Sequence, residues 1–179
     1  MPRIEVRTAV LEDITAMMEL DHSYHTDYVW QMDVISEDKY VGINFQENRL
    51  PRSVKVEYPR LPKQLFKDWI HRDALLVGIL DKKPVAYISV SLDLAPSSAW
   101  ITDLAVSPIN RRGGIATALV MAAEEWASSK RLKRMIVDMQ SKNTPGVKLF
   151  RKFGYEFCGY NDHFYSNQDI ALFFSHYLI

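Results

Sequence analysis

Residues 110–119, Asn110-Arg-Arg-Gly-Gly-Ile-Ala-Thr-Ala-Leu119, set two arginines and two glycines between two apolar runs. The run before them, Trp100 to Val106, reads as a strand, and the run after them, Ile115 to Ala127, as a helix. A strand that turns through glycine into a helix N-terminus leaves backbone N–H groups pointing outward at the positive end of the helix dipole, which suits an anion. Gly113 and Gly114 let the backbone approach a ligand closely. Arg111 and Arg112 add charge. The segment is neither G-x-G-x-x-G nor a Walker loop, because no Lys-Ser/Thr follows the glycines. It points to a grip on a pyrophosphate, and so to a ligand that carries a nucleotide.

The chain of 179 residues suits one domain with a substantial core, and its 47% hydrophobic and 25% charged residues are ordinary for a globular protein. A formal net charge of zero removes any bulk electrostatic case for nucleic acid or an anionic membrane as partner. Cys158 is the one cysteine, so no intramolecular disulfide forms, a cysteine-ligated metal site is disfavoured, and the residue reads as buried and inert. Ala74 to Leu80 is too short an apolar run to cross a bilayer, and no signal peptide opens the chain. The expectation is a cytoplasmic protein with a single domain over residues 1–179, no membrane or nucleic-acid partner, and a homodimer left open.

Periodicity gives a coarse map. Arg3 to Arg7 alternates as a strand, and Leu11 to Leu20 has helical spacing. His22 to Pro62 shows only short β-like pieces, Tyr28 to Met32 and Ser53 to Tyr58. Pro62 to Arg72 reads as a short helix. Asp73 to Leu80 and Val85 to Leu94 read as strands about a turn, and Ser98 to Val106 as another. Past the Arg-Gly turn come a helix to Ser128 with Ile115, Leu119, Ala122 and Trp126 on one face, a strand over Lys133 to Gln140, a helix over Pro145 to Phe153, and strands over Tyr155 to Tyr160 and Asp169 to Tyr177. The class is α+β, with antiparallel strands early and a βαβ-type unit in the second half.

Charge is polarised where the pattern is least readable. Residues 21–48 hold six acids and one lysine, and residues 49–72 hold seven basic residues and two acids. Either the acidic strip attracts a cationic amine, or the two strips meet as neighbouring loops. Tyr24, Tyr28 and Trp30 read as an aromatic wall for substrate or as core. His22 and His25 with Asp21 hint at a metal, but no third ligand group is apparent, so no metal is expected.

Three ordered elements carry a family resemblance. Arg111-Arg-Gly-Gly-Ile-Ala116 matches R-x-x-G-x-A, the acyl-CoA signature of the GCN5-related N-acetyltransferases. Ile101-Thr-Asp-Leu-Ala-Val106 resembles the strand before that signature. Asn143, Gly146, Phe150 and Gly154-Tyr155 resemble the later N-x-x-A-x-x-x-Y-x-x-x-G-F element. Met135 to Gln140 and Tyr165 to Phe174 resemble the streptothricin-acetylating group of the family, while residues 22–72 match nothing.

The resemblance implies a mixed α/β fold. Its central twisted sheet would be mostly antiparallel, of about seven strands flanked by helices, and splayed between the fourth and fifth strands. Acetyl-CoA would be the co-substrate, held by a core over residues 100–155, with residues 22–72 as the variable, substrate-side segment. Its pantetheine arm would lie against Leu104, Ala105 and Val106 and be reached by Asn143. Its pyrophosphate would sit on Arg111, Arg112, Gly113, Gly114, Ile115, Ala116 and Thr117, with Phe150 and Lys152 nearby. Asn143 would also cap the helix that follows it.

Amine acetylation needs a neutral amine, a donor for the developing oxyanion and a proton for the leaving thiolate. Asp103 is the first candidate base and Asp138, amid apolar neighbours, the second. The family's tyrosine acid is replaced here by Phe150, which has no proton to give. Either another hydroxyl replaces it, Tyr160 as the catalytic candidate before Tyr155 and Tyr165, or the thiolate leaves unprotonated. The expected function is acetyl transfer to a primary amine of a small cationic molecule, a streptothricin-like antibiotic or amino-acid-like amine, by direct attack in a ternary complex. A protein lysine or N-terminus as acceptor, and an acyl-CoA-binding module without turnover, are the alternatives.

Overall fold

A computed structural model describes residues 4–61, 63–92 and 94–178, the side chains of Leu65 and Phe66 aside. The elements in chain order are β1 (Glu5–Thr8), α1 (Leu11–Met18), β2 (Tyr24–Glu37), β3 (Tyr40–Val56) and α2 (Gln64–Asp68), which runs into a 3₁₀ turn at Trp69–His71. Then come β4 (Ala74–Leu80), β5 (Lys83–Ser91), β6 (Ser98–Val106), α3 (Ile115–Ser129), β7 (Arg134–Gln140), α4 (Thr144–Lys152), β8 (Glu156–Asn161) and β9 (Ala171–Tyr177). Seven strands form one sheet in the order β1-β4-β5-β6-β7-β9-β8. Every neighbouring pair in it is antiparallel except β6 and β7, which α3 joins as a βαβ unit. Arg3 and Pro62, each at the end of an expected element, and Asp93, within the strand expected over Val85 to Leu94, lie outside the described residues.

Hydrophobic alternation divides the core between the two faces. Ile88, Ile101, Val137 and Leu172 pack with Ile115, Leu119, Ala123 and Ala127 of α3. Tyr87, Val77 and Ala105 pack on the other face with Ile14 and Met17 of α1. The buried stripe of α3 is rotated from the expected one: Ala123 and Ala127 are buried, while Ala122 and Trp126 pack at its edge. Cys158 corrects another expectation, for it is exposed on β8, the sheet's edge strand.

The segment that the sequence left unreadable is a long two-stranded hairpin, β2 paired with β3 from Tyr24↔Val56 out to Glu37↔Tyr40. Its base packs on the domain through Trp30 and Phe45. Its outer part carries Val34, Ile35, Tyr40 and Val41 exposed. A ribbon bare on both faces does not impose inward–outward alternation, and a bulge between Thr26 and Tyr28 shifts the phase near its base.

Strands β6 and β7 begin together and then part. Ser98 to Ile101 pair with Arg134 to Val137, and the ladder ends there, although β6 continues to Val106 and β7 to Gln140. A bulge marks the parting: Ser89 of β5 faces Asp103 and Val90 faces Ile101, so Thr102 is the extra residue. The result is a V-shaped notch between the fourth and fifth strands of the large sheet.

Candidate active site

The notch is walled by backbone. The Thr102 carbonyl accepts a hydrogen bond from inside it, and strand alternation turns the N–H and C=O of Leu104 and Val106 to the same side. Past the mouth of the notch the chain turns sharply. Arg112 and Gly114 both have positive φ, 66° and 82°, and Gly114 caps α3 with no side chain of its own. The first-turn amides of α3 are therefore free donors. Arg111 donates Nε–H to the Val106 carbonyl at 2.8 Å and Nη2–H to the Asp21 carbonyl at 2.9 Å, so it ties the turn to β6 and to the approach to β2. Burial lowers its pKa, and nearby Asp21 opposes this.

On the far wall, Asn143 caps α4 by accepting the Gly146 N–H at 3.0 Å. A Cβ on Gly146 would stand 2.8 Å from Asn143 Nδ2, so an alanine there would make the capping side chain shift. Lys148 of α4 lies over the Tyr28 ring, and Arg151 over Trp30.

Two buried carboxylates flank the apex. Asp103 accepts the hydroxyls of Ser89 (2.9 Å) and Tyr58, with Arg72 at 3.7 Å and Arg60 at 3.9 Å. Burial pushes its pKa up, but Arg60, the two hydroxyls and Arg72 outweigh it and hold the group below the ordinary carboxylate range. Asp138 accepts Trp100 Nε1–H at 2.8 Å, the Tyr165 hydroxyl at 2.6 Å and Arg60 Nη2–H at 2.6 Å. Burial raises the pKa of Tyr58 and Tyr165, so both stay protonated donors.

The charge reading also changes. Arg60 and Arg72, from the basic strip, do not meet the acidic strip; they turn inward to β6 and β7. His22 is buried, its Nδ1 2.6 Å from the Leu20 carbonyl and its Nε2 2.9 Å from the Tyr87 hydroxyl. The carbonyl can only accept, so Nδ1 carries the proton and Nε2 accepts from Tyr87. Among the described residues no group of three His, Cys, Asp or Glu is placed to hold a metal.

One cleft of about 810 Å³ gathers most of the anticipated residues. Asp103, Asp138, Leu104, Ala105, Val106, Arg111, Arg112, Gly114, Ala116, Thr117, Asn143, Phe150, Lys152, Tyr24 and Tyr28 line it. The rest lie elsewhere. Tyr160 packs against Phe45, Trp30 packs against the core and Ile115 is buried in it, while Gly113 sits exposed in the turn beside the lining. Of the other hydroxyls, Tyr155 is buried behind α4 against Phe150, and Tyr165 is committed to Asp138. Tyr58, Arg60 and Arg72 carry no individual role in the sequence reading, and His22 was weighed there only as a metal ligand. The only signal of Tyr58, Arg60 and Arg72 was membership of a segment rich in bases, with no spacing to single them out.

The sequence matches the acetyltransferase (GNAT) family over residues 43–155, and the chain belongs to that family. It is an N-acetyltransferase whose acyl donor is acetyl-CoA. It is 26% identical over 173 residues to the streptothricin acetyltransferase of Streptomyces lavendulae, covering 90% of this chain and 86% of that one. In fold it is similar to a nourseothricin acetyltransferase (TM-score 0.82, 22% identity, 98% of this chain and 99% of that). It is similar as well to a candidate streptothricin acetyltransferase from Bacillus anthracis in complex with acetyl coenzyme A (TM-score 0.79, 17% identity, 98% and 99%).

Proposed function

We propose that this N-acetyltransferase acetylates a primary amine on a small, multiply cationic molecule of the streptothricin type, by direct attack while donor and acceptor are bound together. The observation that carries this reading is that one cleft of about 810 Å³ joins the notch and the Arg-Gly turn to the base of the hairpin, with room for both partners. The similarity to the streptothricin and nourseothricin acetyltransferases supports the same acceptor class. Asp27, exposed in the cleft wall on β2 and paired with no cation among the described residues, suits a distal cation of the acceptor.

The residues fit the donor. The free amides at the start of α3, Arg112 and Lys152 would hold the pyrophosphate, and the Leu104 backbone with the Val106 N–H, on the notch side of β6, would hold the pantetheine arm, with Asn143 lining the same cleft. Acetyl-CoA, when bound, supplies the acyl group as a thioester. The Leu104 N–H, turned into the notch, offers a hydrogen bond where the acyl oxygen gains charge. Asp103 serves as fixed negative charge rather than as base, because two hydroxyls donate to it, two guanidiniums lie within 4 Å and its pKa is depressed. The amine's proton passes to water in the open cleft. Phe150 has no hydroxyl to offer the leaving group, and the Thr144 hydroxyl donates to the Tyr28 carbonyl, so the thiolate departs unassisted.

Thiol release monitored with DTNB, using acetyl-CoA and a panel of amines that includes a streptothricin, tests the proposal. Release specific to polycationic amines is expected. Acetyl-CoA raising the melting temperature while no amine releases thiol would favour an acyl-CoA-binding module without turnover, the reading that Phe150 keeps in view. Release with peptide amines alone would move the acceptor to proteins.

A further inference from the structure

The apex of the notch is closed by one side chain. The β6–β7 ladder ends at Ile101↔Val137, so Thr102 and Asp138 are the first residues of the two strands to part. Arg60 reaches in from the segment after β3 and bridges that gap. Its Nη1–H donates to the Thr102 carbonyl at 2.8 Å and its Nη2–H to Asp138 Oδ2 at 2.6 Å. The Tyr165 ring lies 5.3 Å below the guanidinium, and the Tyr165 hydroxyl shares Asp138 Oδ2. A planar fork bonded on both sides and stacked on a ring has almost no freedom to swing away.

Behind Arg60 lies space that the cleft does not reach. Arg60, Tyr58 and Asp103 line both the large cleft and a separate pocket of about 30 Å³, which Arg72 also lines and which opens past exposed Leu61 and Gln64. Arg60, with Tyr58 and Asp103, therefore stands between the notch and a small open pocket.

We propose that Arg60 sets the length of the acyl group this protein transfers, as the stop against which the acyl methyl ends. The proposal rests on the notch being the donor's site. An acetyl group ends at the guanidinium. Each further methylene would have to displace a cation held by two hydrogen bonds and leave Asp138 buried without it. Asp103 and Asp138 act here through Arg60, which makes them positioning residues.

The test compares kcat/KM for acetyl-, propionyl- and butyryl-CoA with one polycationic amine, in the wild-type protein and in the Arg60→Lys and Arg60→Ala variants. Melting temperatures are measured with CoA and with each acyl-CoA. The wild-type protein is expected to prefer acetyl- over propionyl-CoA by at least about 30-fold, within the range one methylene commands in a shaped pocket. Arg60→Lys keeps the charge but cannot bridge both strands, and it should narrow that ratio about tenfold; Arg60→Ala should narrow it further and admit butyryl-CoA. Stabilisation by butyryl-CoA should fall below that by CoA in the wild type and equal it in the alanine variant. A loss of fold alone would lower all three rates together and leave their ratio untouched. An unchanged ratio in a folded variant overturns the proposal, and so does a wild-type protein that uses butyryl-CoA within threefold of acetyl-CoA, whatever the variants do. If CoA and acetyl-CoA fail to stabilise the wild type at all, the donor site itself is misassigned.

Discussion

Asp103 on β6 accepts the Ser89 hydroxyl of β5 at 2.9 Å, at the bulge where β6 begins to leave β7. With Tyr58, Arg60 and Arg72 on the same carboxyl, this contact fixes a charge rather than a proton acceptor. Asp103→Asn should lower kcat/KM about tenfold through loss of electrostatic preorganisation. It should leave the acidic limb of the pH–rate profile where it was, because the group is already ionised throughout the working range. Disappearance of that limb would restore Asp103 as the base. The variant should also lose roughly 2 kcal/mol of stability, below the usual cost of breaking a buried pair because the guanidinium contacts are long.

His22 makes stability depend on pH in a range where that carboxylate does not titrate. Burial outweighs the Leu20 carbonyl and the nearby acids and holds the imidazole below its ordinary value of 6.5. The unfolded chain therefore binds this proton first, and the stability His22 contributes is complete above about pH 6.5 and is lost as pH falls below it. The melting temperature should decline on acidification from pH 7 to 5. His22→Gln should flatten that decline while leaving any further loss below about pH 3.8, where Asp103 binds a proton more readily in the unfolded chain than in the folded one. Equal slopes in the two proteins would remove His22 from the account.

The half of the molecule proposed to hold the donor was legible because its signals are local. Glycines at a strand-to-helix turn, an asparagine before a proline-led helix and strong hydrophobic periods each depend on a few neighbouring residues. They map onto Gly114, Asn143 and the α3 stripe to within a helical turn. The apex of the notch was not legible. Arg60 acts on Asp138, 78 positions later, and Tyr58 on Asp103, 45 later. No period encodes either pairing. The hairpin that delivers both residues has an outer half exposed on both faces, and so it left no clean alternation to read.

Phe150 can be tested by restoring the hydroxyl. It is buried on α4, 5.0 Å from the Tyr155 ring, and lines the cleft. Phe150→Tyr should leave kcat within about threefold of wild type, because a thiolate with an ordinary pKa near 8.5 departs without help. A tenfold or greater rise in kcat, with a new basic limb near pH 10, would mean that protonation of the leaving group limits the native enzyme.

Gly114 tests the anion cradle without touching a side chain. Its φ of 82° lies in the left-handed region, and a Cβ there would meet nothing within 4 Å. The cost of Gly114→Ala is therefore conformational rather than steric, about 1–2 kcal/mol. If the turn holds that geometry, the variant should melt several degrees lower while its acceptor KM stays unchanged. If it relaxes to a negative φ, the amides at the start of α3 turn away from the cleft. KM for acetyl-CoA should then rise about tenfold, with kcat at saturation little altered, because the lost contact is with the donor's phosphates and not with the reacting carbon. Titration calorimetry with CoA separates the two outcomes. A variant that keeps both its melting temperature and its CoA affinity would show that the glycine's backbone geometry is not what binds the donor.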